Sequence, residues 1–148
     1  MRPHTLTTPK PLLPIAGKAI VQRLVEDIVS LYDGKVEEIA FVIGDFGKDV
    51  EQQLLDLAEG LGAKGNICHQ EQPLGTAHAI WMAQQLMDGE VIIAFADTLF
   101  RANFKLDRTK DGAIWVKRVD NPSSFWGGDF GRKRHYQGIG GEADYVCL

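Results

Sequence analysis

Three short segments of this sequence carry residue types suited to binding a phosphate-containing ligand. The first is Arg2–Lys18, RPHTLTTPKPLLPIAGK, in which Lys10 stands between Pro9 and Pro11. Proline fixes φ and favours extended geometry in the residue before it, so this segment is predicted to be a stiff, non-helical arm. A lysine on such an arm loses little backbone entropy when its ammonium meets a phosphate. The alternative is an ordinary proline-rich surface loop with a solvated lysine.

The second segment is Gln72–Ala77, QPLGTA. A glutamine amide offers the paired donor and acceptor groups that a nucleobase edge requires. Gly75 would let the backbone approach a flat ligand closely. Taken alone, the segment is better described as a plain loop that precedes a helix.

The third segment is Asp97, which follows the apolar run VIIAFA at residues 91–96. Mg²⁺ is commonly bound by one or two carboxylates together with phosphate oxygens, so Asp97 is a candidate metal ligand. The alternative is that Asp97 caps a turn with Thr98.

Composition excludes several classes of protein. The chain has 148 residues, 45% of them hydrophobic, and a net charge of −4, which is ordinary for one globular domain and argues against nucleic-acid binding. No apolar run approaches the roughly 20 residues that span a bilayer, and no signal-peptide pattern opens the chain. Cys68 and Cys147 form neither a disulfide framework nor a metal spacing. A cytoplasmic protein is the default expectation.

Hydrophobic periodicity predicts alternating strands and helices, hence an α/β fold with a mostly parallel sheet covered on both faces. Ligands bind such sheets at the carboxyl ends of the strands, where Gln72–Ala77 and Asp97 are predicted to lie. The predicted helices are 20–31, 48–61 and about 76–87, and the predicted strands are 39–43, 66–70 (weak), 91–96 and 113–116.

Together these segments resemble the sugar-1-phosphate nucleotidyltransferase family. Residues 2–18 are similar to the end of its signature, R-P-x-T-x-x-x-P-K-P-L-L-P-[VI]-x-G-K, and Gln72–Ala77 to its base-reading Q-x-x-G-T-A loop. VIIAFADTLF, at 91–100, looks like its metal-bearing strand, with Ala96 in place of a glycine. The resemblance covers residues 2–125, is specific in its first motif, and is nearest to the glucose-1-phosphate thymidylyltransferase-like members.

The resemblance implies a three-layer, Rossmann-like sheet of the nucleotide-diphospho-sugar transferase type and Mg²⁺-dependent transfer of a nucleotidyl group. The substrates implied are a nucleoside triphosphate (dTTP or UTP) and a sugar-1-phosphate (glucose-1-phosphate), with pyrophosphate released. No nucleic-acid or membrane partner is implied, and a homo-oligomeric full-length protein is compatible with it. The roles implied are catalysis for Lys10 and Arg2, substrate binding for Gln72, Gly75 and Thr76, and metal binding for Asp97.

The sequence departs from the family at both ends. The family opens with a buried central strand and a glycine-rich loop, which precede the motif that begins here at Arg2. We therefore expect Met1 to be an internal methionine of a longer reading frame, and the sheet to be incomplete without its first strand, with strand edges unpaired and an apolar face open. After Phe125 the resemblance ends, and reading the codons one base later permits a continuation like the family's. We predict a partial catalytic domain at 1–125 and an out-of-frame tail at 126–148 without evolved structure.

Three hypotheses follow. The first is an enzyme of this family, with an active full-length product and a nearly inactive 148-residue chain. The second is a non-catalytic module of the same fold that senses a nucleotide or a sugar phosphate. The third, a generic α/β interaction domain, is disfavoured by the length of the first motif. Among other residues, His78 and Cys68 are predicted to be structural and Trp81 to lie in the core.

Overall fold

The computed structural model describes residues 9–97, 109, 111–114, 116–118 and 145–147, the last two ranges by their backbone. The chain forms two compact units, residues 1–106 and 107–148. The first unit contains a 3₁₀ helix at Lys10–Leu12, strands β1 (Pro14–Ile15) and β2 (Lys18–Ala19), helix α1 (Ile20–Leu31), strand β3 (Glu38–Ile43), helix α2 (Lys48–Gly60), strand β4 (Lys64–His69), helix α3 (Thr76–Met82) and a 3₁₀ helix at Gln84–Leu86.

A parallel strand pair, β3 and β4, forms the larger sheet in the described part of the first unit. β3 and β4 pair from Glu38 opposite Lys64 to Ile43 opposite His69. Beyond the carboxyl ends of the two strands, the backbone N–H of Gln70 donates to the backbone carbonyl of Ile43 at 2.8 Å. This hydrogen bond extends the pairing by one residue. Parallel strands end at the same edge, so the loops that follow Ile43 and His69 share that edge. This confirms the predicted βαβ unit and places Gln72–Gly75 beyond a strand end.

One apolar cluster holds α1, α2 and β3 together. Its buried members are Val21, Phe41, Leu54 and Ala58. Ile39 and Ile43 share a strand face with Phe41 because strand side chains alternate, and both pack against the cluster. On the opposite face Glu38 and Ala40 are exposed, so the prediction that this strand is covered on both faces is wrong over its first half.

The proline arm is a short 3₁₀ turn followed by a tight hairpin. The amides of Leu12 and Leu13 donate to the carbonyls of Pro9 and Lys10 at 2.9 and 3.2 Å. The prediction of a wholly non-helical arm is therefore wrong over Lys10–Leu12, since proline is tolerated in the first turn of a helix. Leu12 packs against the central cluster, which seats the arm on the body of the unit.

The predicted strand at 91–96 is not formed. The segment is non-helical and is paired with no strand within the described residues, and Val91 and Ile93 are 45% and 47% exposed. A strand needs a hydrogen-bonded neighbour, which an apolar sequence cannot supply by itself. α3 also ends earlier than predicted, and Trp81, predicted to lie in the core, is 61% exposed.

In the second unit, β5 (Val116–Arg118) pairs antiparallel with β6 (Tyr145–Cys147). The predicted strand at 113–116 is thus shifted towards the carboxyl terminus. The out-of-frame origin of residues 126–148 stays a prediction, and most of that segment lies outside the described residues. Within the ranges that are described, no helix combines the length and apolarity that crossing a bilayer requires.

Gly65 tests the packing of α2 on β4. A Cβ at Gly65 would lie 2.9 Å from Leu55 Cδ2 and 3.1 Å from the Leu55 Cα, so Gly65→Ala must displace the helix backbone. We expect this change to lower the free energy of unfolding by roughly 1–3 kcal/mol, the usual range for overpacking.

The matched control for this change is Gly60→Ala, at the end of α2, where a Cβ would meet no atom within 4 Å. Alanine is favoured over glycine in a helix, so we expect it to raise the free energy of unfolding by up to about 1 kcal/mol. Urea unfolding followed by circular dichroism measures both values, and equal effects would contradict this packing.

Candidate functional site

Lys10 is exposed and opens the first 3₁₀ helix. Pro9 precedes it at φ −55° and ψ 138°, and Pro11 follows it inside the turn. Among the described residues, its ammonium has no hydrogen-bond or ion-pair partner. Proline on both sides limits the backbone at Lys10, so the chain presents a solvent-facing cation from a rigid segment.

Gly75 shapes the loop between β4 and α3. Its φ of 101° and ψ of −179° lie in a region that is open essentially to glycine alone. Its carbonyl accepts from the amide of Ala79 at 3.1 Å, in the first turn of α3. A Cβ at this position would meet no atom within 4 Å, so backbone geometry rather than crowding requires the glycine. That open space leaves the loop backbone accessible to a ligand.

Gln70 fastens this loop, and sequence reasoning missed it. Its Nε2 donates to the Gly75 carbonyl at 3.1 Å and lies 2.9 Å from His78 Nδ1. These contacts join the end of β4, the last residue of the loop and α3. The prediction placed Gln70 inside a weak strand, although the strand ends at His69. A polar residue at the carboxyl end of a predicted parallel strand was the available signal, since that edge is where such sheets bind ligands.

Gln72 and Thr76 are both exposed. The backbone carbonyl of Gln72 accepts from the backbone N–H of Leu74 at 2.8 Å, which tightens the loop. In the described part of the chain, the Gln72 amide group takes part in no hydrogen bond, so it is available to an incoming ligand. Thr76 begins α3 directly after Gly75.

The structure does not bring the predicted metal ligand to a strand end. Asp97 is exposed and lies in a turn after the unpaired segment 91–96. Nowhere in the described ranges do three or more His, Cys, Asp or Glu residues group as a metal site. Its role as a metal ligand stays a prediction. Arg2, the second predicted catalytic residue, and Thr98 lie outside the described residues.

Cys68 and His78, both predicted to be structural, are half-buried. Cys68 lies in β4, half-buried, and burial raises the pKa of its thiol, which keeps it protonated and poorly nucleophilic. His78 is half-buried against Gln70. If Gln70 Nε2 donates to Nδ1, the ring proton of the neutral imidazole is on Nε2. Both arrangements fit the predicted structural roles.

A polar cluster connects the hairpin to α1. Lys18 Nζ donates to the Glu26 carboxylate at 2.7 and 3.0 Å, and Gln22 Nε2 donates to it at 2.9 Å. The hydrogen bonds from Lys18 and then from Gln22 hold the pKa of Glu26 below its usual value near 4.5. Because Lys18 belongs to β2, this cluster ties the far strand of the hairpin to the helix.

A parallel strand pair with a glycine loop at its carboxyl edge is typical of nucleotide-binding, Rossmann-like α/β proteins. Residues 1–117 match the model of the family described as nucleotidyl transferase, and the chain belongs to that family. This confirms the resemblance to sugar-1-phosphate nucleotidyltransferases and the predicted α/β fold class.

Three relatives illustrate the family. The chain is 33% identical to bifunctional protein GlmU of Methanococcus vannielii, covering 83% of this chain and 28% of that protein. It is 32% identical to low-salt glycan biosynthesis nucleotidyltransferase Agl11 of Haloferax volcanii, covering 88% and 32%. It is 29% identical to mannose-1-phosphate guanylyltransferase catalytic subunit beta of Danio rerio, covering 89% and 39%. The chain therefore spans well under half the length of each of these relatives.

Gln70→Ala tests the fastening of the loop. We expect faster hydrogen exchange at the Ala79 amide, whose acceptor is the Gly75 carbonyl, because each lost hydrogen bond removes about 0.5–1.5 kcal/mol of local stability. Exchange measured by NMR reports this amide directly. Gln72→Ala is the matched control, since the Gln72 amide group makes no such bond in the described structure, and equal acceleration in both variants would contradict the assignment.

Glu26 predicts a pH dependence of stability. Its pKa is lowered in the folded chain, so its stabilisation is complete above the ordinary pKa and is lost as pH falls through the lowered value. We expect Glu26→Gln to reduce the free energy of unfolding at neutral pH, and this difference to shrink as pH falls through the lowered pKa of Glu26. Urea unfolding across this range measures it, with Glu59→Gln as the exposed control. A pH-independent difference would contradict the linkage.

Proposed function

We propose that this chain is part of a Mg²⁺-dependent sugar-1-phosphate nucleotidyltransferase. The observation that carries the proposal is the family match over residues 1–117, which includes Lys10, the Gln72–Thr76 segment and Asp97. The printed name of the Danio rerio relative, a mannose-1-phosphate guanylyltransferase subunit, supports the same reaction class.

In the proposed reaction, a phosphate oxygen of the sugar-1-phosphate attacks the α-phosphorus of a nucleoside triphosphate. A new P–O bond forms, the bond from the α-phosphorus to the bridging oxygen breaks, and pyrophosphate leaves with that electron pair. No oxidation or reduction occurs. Charge on the phosphate oxygens is the main obstacle, so positioning and electrostatic stabilisation are what the protein must provide.

Lys10 is the proposed phosphate-neutralising cation, with Arg2 assisting. Its exposure and the absence of a competing partner in the described structure support this, because no ion pair must be broken when phosphate binds. Gln72, Thr76 and the Gly75 backbone are the proposed nucleotide-binding groups. Their exposure beyond the carboxyl end of β4 supports that role.

Asp97 is the proposed Mg²⁺ ligand. An exposed single carboxylate fits an ion that is shared with phosphate oxygens, whereas it would not make a site of protein groups alone. When bound, Mg²⁺ would offset charge on the phosphates. Holding the ion beside the triphosphate is the part of the chemistry that belongs to this residue.

The base and the sugar are finer parts of the proposal. Resemblance to thymidylyltransferase-like proteins favours dTTP or UTP and glucose-1-phosphate, while the relatives named above include a guanylyltransferase acting on mannose-1-phosphate. A cytoplasmic location belongs to the same proposal.

The test measures nucleotide binding and turnover separately. Equilibrium dialysis with Mg²⁺ and each of dTTP, UTP, GTP and CTP gives affinity, and pyrophosphate release with glucose- or mannose-1-phosphate gives turnover. Binding together with sugar-dependent release, in this chain or in a longer in-frame product, supports the enzyme. Binding without release in both supports the alternative, a nucleotide-sensing module. Absence of binding to every nucleotide contradicts both.

Lys10→Ala tests the proposed cation. We expect it to weaken triphosphate binding about tenfold, equivalent to roughly 1.4 kcal/mol, because one charge-assisted contact is lost. Lys35→Ala removes the same charge from another exposed position and should leave affinity unchanged. Equal losses in the two variants would reduce the effect of Lys10 to net charge alone.

A further inference from the structure

Arg23 grips the turn of the hairpin that follows Lys10. From the first turn of α1, its Nη2 donates to the carbonyls of Ile15 and Ala16 at 2.7 and 3.0 Å, and its Nε donates to Ile15 at 3.1 Å. A planar guanidinium suits this fork, since its donors reach adjacent acceptors without rotation. The side chain thus connects a helix directly to backbone atoms of the turn.

The gripped turn holds a conformation that its sequence disfavours. Ala16 and Gly17 both have positive φ, 49° and 82°, between strand residues that pair Ile15 with Lys18. Two-residue hairpins of this kind prefer asparagine followed by glycine. Alanine at positive φ brings its Cβ too close to the following carbonyl oxygen, so an additional interaction must offset this strain. Arg23 supplies that interaction at the strained residue and at the residue before it.

The hairpin is continuous with the arm that carries Lys10. The 3₁₀ helix ends at Leu12 and β1 begins at Pro14, so one residue separates them. Leu12 is held by the apolar cluster, and the hairpin is held by α1 through Arg23 at its turn and through the Lys18–Glu26 ion pair at its second strand. The position of Lys10 relative to the body of the unit therefore depends on both anchors.

We propose that Arg23 is a positioning residue for the phosphate-binding arm, acting through the Ala16–Gly17 turn. The inference rests on the proposed function and adds to it a residue that need not contact the nucleotide. Arg23 donates from two nitrogens to the chain's own carbonyls, so its guanidinium is committed to the turn. Its effect on binding is transmitted by the backbone from Ile15 back to Lys10.

A second-site rescue separates positioning from direct contact. Arg23→Ala is expected to weaken binding of Mg²⁺·dTTP or Mg²⁺·UTP about fivefold, the change that 1 kcal/mol of lost preorganisation would produce. Ala16→Asn installs the favoured Asn-Gly turn and should restore most of that affinity when combined with Arg23→Ala. Arg23→Lys, with one point-like donor group, should give an intermediate value.

Two controls separate a change in affinity from a change in the stability of the fold. Gln52→Ala removes a polar side chain of α2 that contacts Asp56 rather than the hairpin, and should leave affinity unchanged. Urea unfolding of every variant reports stability separately. The gain in affinity from Ala16→Asn must be larger than the gain that an increase in the fraction of folded protein would produce.

The outcomes are distinct. Binding by the unaltered chain with unchanged affinity in Arg23→Ala overturns this inference and leaves the proposed function intact. Loss of affinity that Ala16→Asn does not rescue also overturns it, in favour of direct contact between Arg23 and the nucleotide. No nucleotide binding by the unaltered chain overturns the proposed function, and this inference with it. Loss followed by rescue supports the inference.

Discussion

The packing around Phe41 is the interaction on which the rest of the first unit depends. Its side chain shares a buried cluster with Val21 of α1 and with Leu54 and Ala58 of α2. Backbone pairing joins β3 to β4, and side-chain burial packs α1 and α2 against β3. Each fully buried side chain of this size contributes roughly 1.5–3 kcal/mol, so a few residues hold three elements together. The arm with Lys10 rests on the same cluster through Leu12.

The two halves of the candidate site are held by different kinds of contact. The loop after β4 is fixed locally by Gln70, which reaches its last residue and the following helix. The arm is fixed by residues on either side of Pro14: Leu12 packs against the apolar cluster, and Arg23 of α1 binds the carbonyl of Ile15. Polar groups therefore set the fine geometry at each half, while the apolar cluster sets the frame. This division is common where a rigid scaffold presents loops to a ligand.

The sequence pattern predicted α1 and the paired strands β3 and β4. Helix 20–31 was predicted at its observed bounds, since its apolar face and polar face repeat at helical spacing. β3 and β4 were predicted within two residues at each end. Segment 91–96 was predicted wrongly because strand formation depends on a neighbour, and periodicity within one segment contains no information about that neighbour. The prediction that Trp81 lies in the core was wrong for the same reason, since burial needs a second surface to pack against.

For the candidate site, motifs gave residue types but not contacts. Lys10 is exposed but opens a 3₁₀ turn that was not predicted, and Gly75 has a positive φ. Gln70 was missed, because its importance comes from which atoms it reaches rather than from its place in a pattern. In the sequence, nothing distinguishes Arg23 from an ordinary arginine on the surface of a helix. Side chains that act by holding backbone carbonyls are hard to predict, since carbonyls are present at every residue.

The open segment 91–96 has a consequence for the life of the polypeptide in a cell. Val91, Ile93 and Phe95 are between 39% and 47% exposed on a chain without strand partners in the described structure. Unpaired backbone beside apolar side chains is a template for adding identical strands from other molecules. Chaperones and quality-control proteases act on the same kind of surface. Self-association through this segment would therefore rise with the concentration of the chain.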